Sequence, residues 1–355
     1  MPLPSISGVV TKDELVETAS SISEWQLPNG MIPWFPGGHA DPWNHVEAAM
    51  ALAVTGYLDE AEAAYKWLEE TQLPNGAWHH YYLENGIEDP KFDTNVVAYI
   101  ATGVWHHWLM THDRGFLESM WLTVEPAIDF VLDLQTPRGE IIWAQHPDGT
   151  PWSYALLTGS SSTCHSLRCA ISIAEELGKE RPDWELSLAN LAHVVRSQPD
   201  KAFAPKERWA MDWYYPVLSG VVSGNKGKQL LSNRSDRFIL EGKGILCVSD
   251  QPWVTTAETC ECAIAYLVAG DQKMAEKLFL WSQDMRTTNG RYLTGVVHPE
   301  ITSFPEEEET TYSAAAVILA ADAISNSSPA SGIFTGEAGL PEIIDTEEHI
   351  LDLDQ

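Results

Sequence analysis

The sequence predicts an all-α fold, an (α/α)6 barrel in which six inner and six outer helices form two concentric rings. Amphipathic helices alternate along the chain with helices that are apolar or small on nearly every side. A turn of similar sequence also closes several of the amphipathic helices. A helix that is apolar all round must be buried all round, and internal repeats indicate stacked or closed arrays of one structural unit.

The amphipathic helices form the predicted outer ring. In the segment 58–71, Leu58, Ala61 and Leu68 recur at helical spacing, with carboxylates on the opposite face. The recurring turn runs from a glutamine to a glycine, and its copies begin at Gln26, Gln72, Gln135 and, more weakly, Gln283. Because this turn recurs, we interpret it as scaffold rather than chemistry. The six predicted outer helices span 12–25, 58–71, 117–134, 184–198, 226–240 and 271–284.

The predicted inner helices follow these turns. Asp41 and Pro42 give the first one a good start, because Asp caps free N–H groups and Pro is tolerated in the first turn. Because outer and inner helices alternate along the chain, all inner helices run parallel to one another and should start at one face. An open solenoid of the same helices is the structural alternative. Strand signals are sparse, and the segments 79–86 and 290–298 are candidates for small hairpins in loops. The predicted inner helices span 42–55, 94–109, 162–177, 212–223, 255–269 and 310–324.

Composition narrows the function classes. The chain has 355 residues with 51 acidic and 21 basic side chains, giving a formal net charge of −30. The electrostatic field of this negative charge repels nucleic acid and anionic membranes. A surface adapted for solubility would show the same surplus of acidic side chains. The amino terminus has no signal-peptide pattern, no apolar run of about 18 residues occurs, and the five cysteines lack CxxC spacing. We therefore expect a cytoplasmic protein.

One catalytic barrel domain is predicted over residues 1–325. Residues 326–355 begin with a Ser- and Pro-containing stretch and continue as an acidic segment with few aromatics. That composition is typical of a tail that packs late or not at all. The sequence leaves the oligomeric state open.

Five acidic side chains are candidates for chemistry at the face where the inner helices start. Asp41, Asp93 and Asp212 each lie at a helix start, where capping without catalysis is the plain alternative. Glu258 and Glu261 lie within an otherwise apolar inner helix and share one side of it. A buried ionised carboxylate is expensive unless it has partners or a function, so Glu258 is the strongest candidate.

Paired carboxylates in a concave, apolar-walled pocket are what glycoside hydrolysis requires. One carboxylic acid protonates the leaving oxygen, while the second carboxylate activates water in an inverting enzyme or attacks the sugar in a retaining one. We assign Glu258 as the general acid and Asp41 as the general base of an inverting hydrolase, with the reverse assignment open. Asp93, Asp212 and Glu261 are expected to bind hydroxyl groups or to orient the pair.

Aromatic side chains are the second part of the predicted site. The chain has 15 Trp residues, most of them in loops or at helix starts. An indole offers an apolar face and one N–H donor, which suits a pocket for a polyhydroxylated ligand. The predicted substrate-binding residues are Trp34, Trp43, Asn44, His45, Trp78, His79, Tyr81, Trp143, Trp152, Trp213, Tyr214 and Trp253.

Other polar residues within the predicted helices and loops are interpreted as structural. Glu47 lies one and a half turns into the first inner helix, where a supporting role is expected. The histidine pairs at 79–80 and 106–107 lack metal-ligand spacing such as HExxH. We therefore expect no metal and no organic cofactor.

Two resemblances to known families add to this interpretation. The form Q-x-x-x-G-x-W at Gln72–Trp78 resembles the repeat of squalene–hopene cyclases and prenyltransferase-like (α/α)6 proteins, although the acidic motifs of those enzymes are missing. The whole-chain pattern is more similar to the six-hairpin glycosidases. Within these, DPWNHVEAAMAL and FDTNVVAYIATGVWHHW resemble the actinobacterial hydrolases of methylmannose polysaccharide. That resemblance implies an intracellular α-1,4-endomannosidase.

Three alternatives remain open at this stage. A terpenoid cyclase or prenyltransferase would have an apolar pocket without a second carboxylate across the cavity. A non-catalytic carbohydrate-binding barrel would keep the Trp residues but fail to cleave. A sugar epimerase would want paired histidines in the cavity, for which the candidates are His79, His80 and His165.

Overall fold

The computed structural model describes residues 2–336 and 338–343, and within them the chain is rich in helix. Both predicted classes of helix are present, and most begin and end close to the predicted positions. The helices are α1 (Lys12–Trp25), α2 (Pro42–Val54), α3 (Leu58–Thr71), α4 (Thr94–Ala98), α5 (Ile100–Thr111), α6 (Arg114–Leu132), α7 (Leu157–Glu176), α8 (Pro182–Ser197), α9 (Pro199–Ala202), α10 (Met211–Leu218), α11 (Gly224–Phe238), α12 (Thr256–Val268), α13 (Gln272–Ser282) and α14 (Thr311–Ser325).

Three inner helices differ from their predicted bounds. The second is split at Tyr99 into α4 and α5, and the third begins at Leu157, one turn earlier than predicted. The fourth, α10, ends at Leu218 rather than 223. Gly220 follows with a positive φ of 75°, a left-handed conformation that glycine adopts without strain and that stops the helix.

The prediction of an all-α fold is incomplete, because small antiparallel sheets occupy the loops. The hairpin at 79–86 is confirmed by its first strand, and a strand also forms within 290–298. The larger sheet, in the order β5-β6-β7-β8-β9, was not predicted. The strands are β1 (Tyr81–Leu83), β2 (Gly86–Asp89), β3 (Phe92–Asp93), β4 (Ala144–Gln145), β5 (Ile239–Leu240), β6 (Gly244–Leu246), β7 (Trp253–Thr255), β8 (Leu293–Val297) and β9 (Thr302–Glu309).

The inner helices contact one another in a closed order. Along the chain, α2 packs on α5, α5 on α7, α7 on α10, α10 on α12 and α12 on α14, and α14 then packs on α2. All residues from His45 to Val54 in α2 are buried, as are those from Ser313 to Ile324 in α14. An open solenoid would keep its first and last inner helices apart, so this closed order is the one that the predicted barrel requires.

Three copies of the recurring turn each join one outer helix to the next, whereas Gln283 in the weaker copy bonds Phe279 O and Ser282 Oγ of its own helix. Gln72 Nε2 donates to Gly76 O (2.9 Å) within the turn and to Thr123 O (2.8 Å) on α6. The turns at Gln26 and Gln135 make the same pair of bonds, reaching α3 and α8 respectively. The prediction that this turn is scaffold agrees with these contacts.

The segment after α14 packs against the rest of the fold. Ala330, Ile333 and Leu340 are buried, and the ring of Phe334 stacks on His165 of α7 with centroids 4.8 Å apart. Residues 344–355, the acidic end of the predicted tail, lie outside the described residues. The boundary of the barrel domain at 325 remains a prediction. None of the helices in the described ranges is long and apolar enough to cross a membrane.

Candidate active site

Hydrogen bonds between loops bring the starts of several inner helices to one face. Thr311 N donates to Trp34 O (2.8 Å), which joins the start of α14 to the loop before α2. Ala40 N donates to Tyr82 O (2.8 Å), which ties that loop to the β1–β2 hairpin. Pairing of β3 with β4 then connects the start of α4 to the loop before α7. Asp41 and Asp93 therefore belong to a connected surface.

Asp41 is buried at the start of α2 and is held by three donors. Its Oδ1 accepts from the backbone N of Asn44 (3.0 Å), as a helix cap does. Its Oδ2 accepts from Trp34 Nε1 (2.8 Å) and from Asn44 Nδ2 (2.7 Å). Capping needs only the first contact, so the indole and amide donors indicate a carboxylate that is also oriented from its second oxygen.

Glu258 lies in the first turn of α12, directly after β7, and is only half-buried. Its charge raises the pKa of the neighbouring Tyr312 hydroxyl, although burial is the larger cause of that rise. The Tyr312 ring lies 5.0 Å from the ring of Trp34, the residue that donates to Asp41. The Trp34–Tyr312 ring pair therefore contacts Asp41 through Trp34 and lies within the electrostatic influence of Glu258.

Asp93 forms a second aromatic-bound carboxylate at the start of α4. Trp143 Nε1 donates to its Oδ2, and the backbone N of Asn95 donates to its Oδ1 (3.1 Å). Burial raises the pKa of Asp93, and the nearby His80 and Lys91 partly oppose this rise. The ammonium group of Lys91 lies 5.5 Å from the Trp143 ring centroid. This arrangement fits the predicted role in binding sugar hydroxyls.

The side chain of Asp212 makes different contacts from those of Asp41 and Asp93. Its Oδ1 accepts from Thr158 Oγ1 (2.6 Å), and burial raises its pKa. It also lines a cavity of about 450 Å³ with Arg196 of α8, Lys206 of the loop before α10, and residues of α11. These surroundings differ from those of Asp41 and Asp93, which accept from indole donors.

Glu47 and Glu261 lie within inner helices and accept hydrogen bonds from neutral donors; of the two, the sequence predicted only Glu261 as a site residue. Glu47 Oε1 accepts from Trp43 Nε1 (2.8 Å) and from Tyr99 OH (3.0 Å), and Tyr214 OH donates to Glu261. Burial raises the pKa of Glu47 to about 7 and that of Glu261 well above its usual value. The signal for Glu47 was present in the sequence, as an acidic residue among buried alanines.

The raised pKa of Glu47 predicts a pH dependence of stability. In the unfolded chain its carboxyl titrates near 4.5, and in the fold near 7. Between these values the native state binds more protons, so the free energy of unfolding falls as pH rises through this window. We expect Glu47→Gln to flatten this dependence in thermal unfolding between about pH 5 and 8. The exposed Glu69→Gln should leave it unchanged; equal slopes for wild type and Glu47→Gln would contradict the prediction.

Partly exposed aromatic rings line the face around these carboxylates. The ring of Tyr81 stacks on His39 at 4.1 Å and lies 5.7 Å from that of Trp34. Trp143 stacks on Tyr154 at 5.5 Å. The other predicted aromatics with accessible surface are Trp43, Trp152, which packs on His146, and Trp253, which stacks on Phe304. These flat apolar surfaces suit sugar rings.

Three predicted substrate-binding residues are wrong, because their side chains are buried in the scaffold. His45 Nδ1 accepts from Ile32 N (3.0 Å) and its Nε2 meets Ala64 O (2.9 Å), so no ring nitrogen is left for a ligand. Trp78 is fully buried and donates to Leu68 O (2.9 Å). Trp213 donates to Leu230 O (3.0 Å) behind α10.

Three further predicted residues have protein partners. Asn44 contacts Asp41 through both its backbone N and its side-chain amide. Tyr214 is buried and acts through Glu261. His79 Nδ1 contacts Pro90 O (2.8 Å) while its ring stays half-buried. Asn44 and His79 therefore keep accessible surface, and His79 also keeps one ring nitrogen without a protein partner.

The positions of the acidic and histidine side chains argue against the cyclase and epimerase alternatives. The cyclase alternative expects no second carboxylate, yet several acidic side chains meet here. Paired histidines for an epimerase are separated, since His165 packs on Phe334, beyond the end of α14, and not on the loop of His79 and His80. Among the described residues, no cluster of three or more His, Cys, Asp or Glu side chains could hold a metal ion.

The fold is shared with solved glycosidases. A structure described as a wild-type glycosidase superposes with a TM-score of 0.67 at 13% identity, covering 88% of this chain and 96% of that one. The GH63 mannosylglycerate hydrolase from Thermus thermophilus, solved with glucose, gives a TM-score of 0.63 at 10% identity, covering 86% and 99%. No family model matches the chain.

The chain is a glycoside hydrolase, as its sequence relatives show. It is 46% identical to the MMP endo-(1,4)-3-O-methyl-alpha-D-mannosidase of Mycolicibacterium hassiacum over 334 residues, which cover 94% of this chain and 92% of that protein. The chain therefore belongs to the family of this endomannosidase. An uncharacterized glycosyl hydrolase of Methanocaldococcus jannaschii is 23% identical over 239 residues, covering 65% of this chain and 35% of that protein.

Proposed function

We propose that the chain is a closed (α/α)6 barrel that cleaves internal α-1,4 linkages in a 3-O-methylated mannan. The observation that carries this proposal is the 46% identity along 94% of the chain to an enzyme named for that activity. The aromatic face around the carboxylates supports it. A polysaccharide cleaved internally must pass through an open site, and the partly accessible rings of Trp34, Tyr81 and Trp43 in the segments around Asp41 suit such a path.

Asp41 and Glu258 are the catalytic pair in this proposal. They come from the starts of the first and fifth inner helices, and the Trp34–Tyr312 ring pair, whose indole donates to Asp41, supports their placement on one face. One protonates the leaving oxygen and the other activates water on the opposite side of the sugar ring, which inverts the anomeric configuration. Asp93 and its partner Trp143 bind hydroxyl groups of a neighbouring sugar unit.

The cytoplasm is the proposed location, with a neutral polysaccharide as the partner. All five cysteines are free thiols in the structure, as suits a reducing compartment. A net charge of −30 disfavours nucleic acid and anionic membrane surfaces. An uncharged glycan is not repelled by this field. No metal or organic cofactor is required, since the two carboxylates supply the acid and the base.

The test is incubation with α-1,4-mannans, α-glucans and their O-methylated forms, followed by sizing of the products. We expect the methylated α-1,4-mannan to be cut into oligosaccharides of intermediate length, because the chain passes through the site without an end being required. Proton NMR during the reaction should show first a β-configured reducing end. Release of monosaccharide alone would contradict endo action, and binding without cleavage would favour a non-catalytic barrel.

A further inference from the structure

Lys91, between β2 and β3, is a largely buried cation at the candidate site. Only 14% of its side-chain surface is exposed, whereas lysine is usually a surface residue. Its Nζ donates to Asp89 Oδ2 (2.5 Å), and its backbone N donates to Asp89 Oδ1 (3.1 Å). Because one carboxylate holds the lysine from its main chain and from its side-chain end, the position of the ammonium group is restricted.

Two aromatic rings flank this ammonium group. Its nitrogen lies 5.8 Å from the centroid of the Tyr81 ring and 5.5 Å from that of Trp143. Both distances are within the range at which a cation is attracted to the face of a ring. The edge of the Trp143 indole donates through Nε1 to Asp93. Lys91 therefore contacts the residue that orients the Asp93 carboxylate.

Tyr81 extends these contacts towards the predicted catalytic carboxylate at the start of α2. Its ring lies 5.7 Å from the ring of Trp34, and Trp34 Nε1 donates to Asp41 (2.8 Å). Asp41 and Trp34 thus form one carboxylate–indole pair, and Asp93 and its indole partner form another. Lys91 lies between the two pairs, in contact with Tyr81 on one side and with the indole that binds Asp93 on the other.

We propose that Lys91 is a positioning residue, whose ammonium group holds the rings of Tyr81 and Trp143 in place for a sugar unit bound next to the cleavage point. This inference rests on the proposed function, in which Asp93 and Trp143 bind hydroxyl groups of that unit. The same positive charge favours the ionised form of Asp93. An ionised carboxylate accepts charge-assisted hydrogen bonds from sugar hydroxyl groups, and these are stronger than bonds between neutral groups.

The charged groups around Asp93 leave Lys91 as its cation at neutral pH. Burial raises the pKa of Asp93, and His80 and Lys91 oppose this rise. Burial lowers the pKa of His80, so its ring is mostly neutral near pH 7. Acidic residues of α6 pair with Arg181 instead, and neither α4 nor the first two turns of α7 has an ionisable side chain. The other titratable groups nearby are Asp41, Tyr81, Glu88, Asp89, His146 and Tyr154.

The first test follows the indole N–H resonance of Trp143 by NMR in the free enzyme across pH. Because this N–H donates to Asp93, its chemical shift reports protonation of that carboxyl group, and Trp143→Phe identifies the resonance. Lys91→Met keeps the length of the side chain and removes its charge, so the midpoint of the titration should move to higher pH. Lys91→Arg keeps the charge and should keep the midpoint. An unchanged midpoint in Lys91→Met would overturn the proposal.

Two control variants separate loss of the charge from loosening of the hairpin. Lys277 on α13 makes matching contacts outside the site, with an acidic partner at 2.5 Å and the Trp281 ring at 4.8 Å. Lys277→Met should therefore leave the titration unchanged. Asp89→Asn removes a negative charge, so it should not move the midpoint to higher pH. If Asp89→Asn raised the midpoint as Lys91→Met does, a loosened hairpin would explain both, and the proposal would be wrong.

The second test measures KM and kcat on methylated α-1,4-mannan. We expect Lys91→Met to raise KM by about 3- to 30-fold, the range of a desolvated cation–π contact, and to change kcat less than KM. Lys91→Arg should recover most of this loss. A fall in kcat with KM unchanged would contradict a role in positioning the bound sugar. If the wild type cleaves no mannan, the proposed function fails, while the Trp143 titration still decides the role of Lys91.

Discussion

Asp41→Asn and Glu258→Gln will each lower kcat for cleavage of methylated α-1,4-mannan by about 10²–10⁴-fold, the usual contribution of a positioned acid or base. Both substitutions keep the shape of the side chain and remove its capacity to transfer a proton. Asparagine at 41 keeps one oxygen that can cap α2, but its NH2 group replaces the oxygen that accepts from Trp34 and from the Asn44 side chain. We therefore expect Asp41→Asn to stay folded with a modest loss of stability, and Glu258→Gln to unfold close to the temperature of the wild type.

The control for Asp41→Asn is Asp113→Asn. Asp113 caps the outer helix α6 by accepting from Phe116 N (3.0 Å), as Asp41 caps α2, but it is exposed and lies outside the site. If Asp41 were only a cap, the two variants would lose stability alike and retain activity alike. Full activity of Asp41→Asn or Glu258→Gln would refute the proposed pair.

Rescue experiments assign the two roles. In an inverting enzyme, azide can replace the activated water when the base is removed, so the Ala variant of the base should regain turnover. The Ala variant of the acid should instead recover on a substrate whose leaving group needs no proton. We expect Asp41→Ala and Glu258→Ala to respond to different treatments. Recovery of both variants by azide alone would contradict division into one acid and one base.

The helices were predictable because their signals are local and periodic. The all-apolar character of 42–55 and 310–324 requires burial on every side, and α2 and α14 show it. The sheet around β9 was missed because the sequence of this strand, TSFPEEEE, lacks apolar alternation and is mostly Pro and Glu, which are depleted in strands. Pairing with β8 holds that segment in place, and such a partner is invisible from the local sequence.

Within the site, position along the chain was more informative than residue type. Asp41 and Asp93 were predicted from their places at helix starts, and each accepts from an indole as well as capping its helix. His45 and Trp78 were predicted from the same regions, yet their polar atoms bond backbone carbonyl or N–H groups. Helical spacing alone does not show which flank of an inner helix faces the cavity. That choice depends on how neighbouring helices pack.

Gly76→Ala will destabilise the fold by roughly 4–5 kcal/mol, the range of severe backbone and packing defects. Gly76 closes the turn after α3 with φ +86°, a left-handed conformation that disfavours any side chain. A Cβ there would also lie 2.1 Å from Pro126 O on α6. Neither the turn nor α6 can yield easily, because Gln72 bonds both Gly76 O and Thr123 O.

Gly149→Ala separates the two causes of this loss. Gly149 has nearly the same φ, +87°, but a Cβ there would meet nothing within 4 Å. Gly149→Ala should therefore lower the free energy of unfolding only by the conformational cost, about 1–2 kcal/mol. Denaturant unfolding followed by the circular dichroism of the helices measures this loss. The difference between the variants then measures the close packing of one helical hairpin on the next. Equal losses would mean that the turn is strained but does not join the outer helices, against its interpretation as the scaffold of the ring.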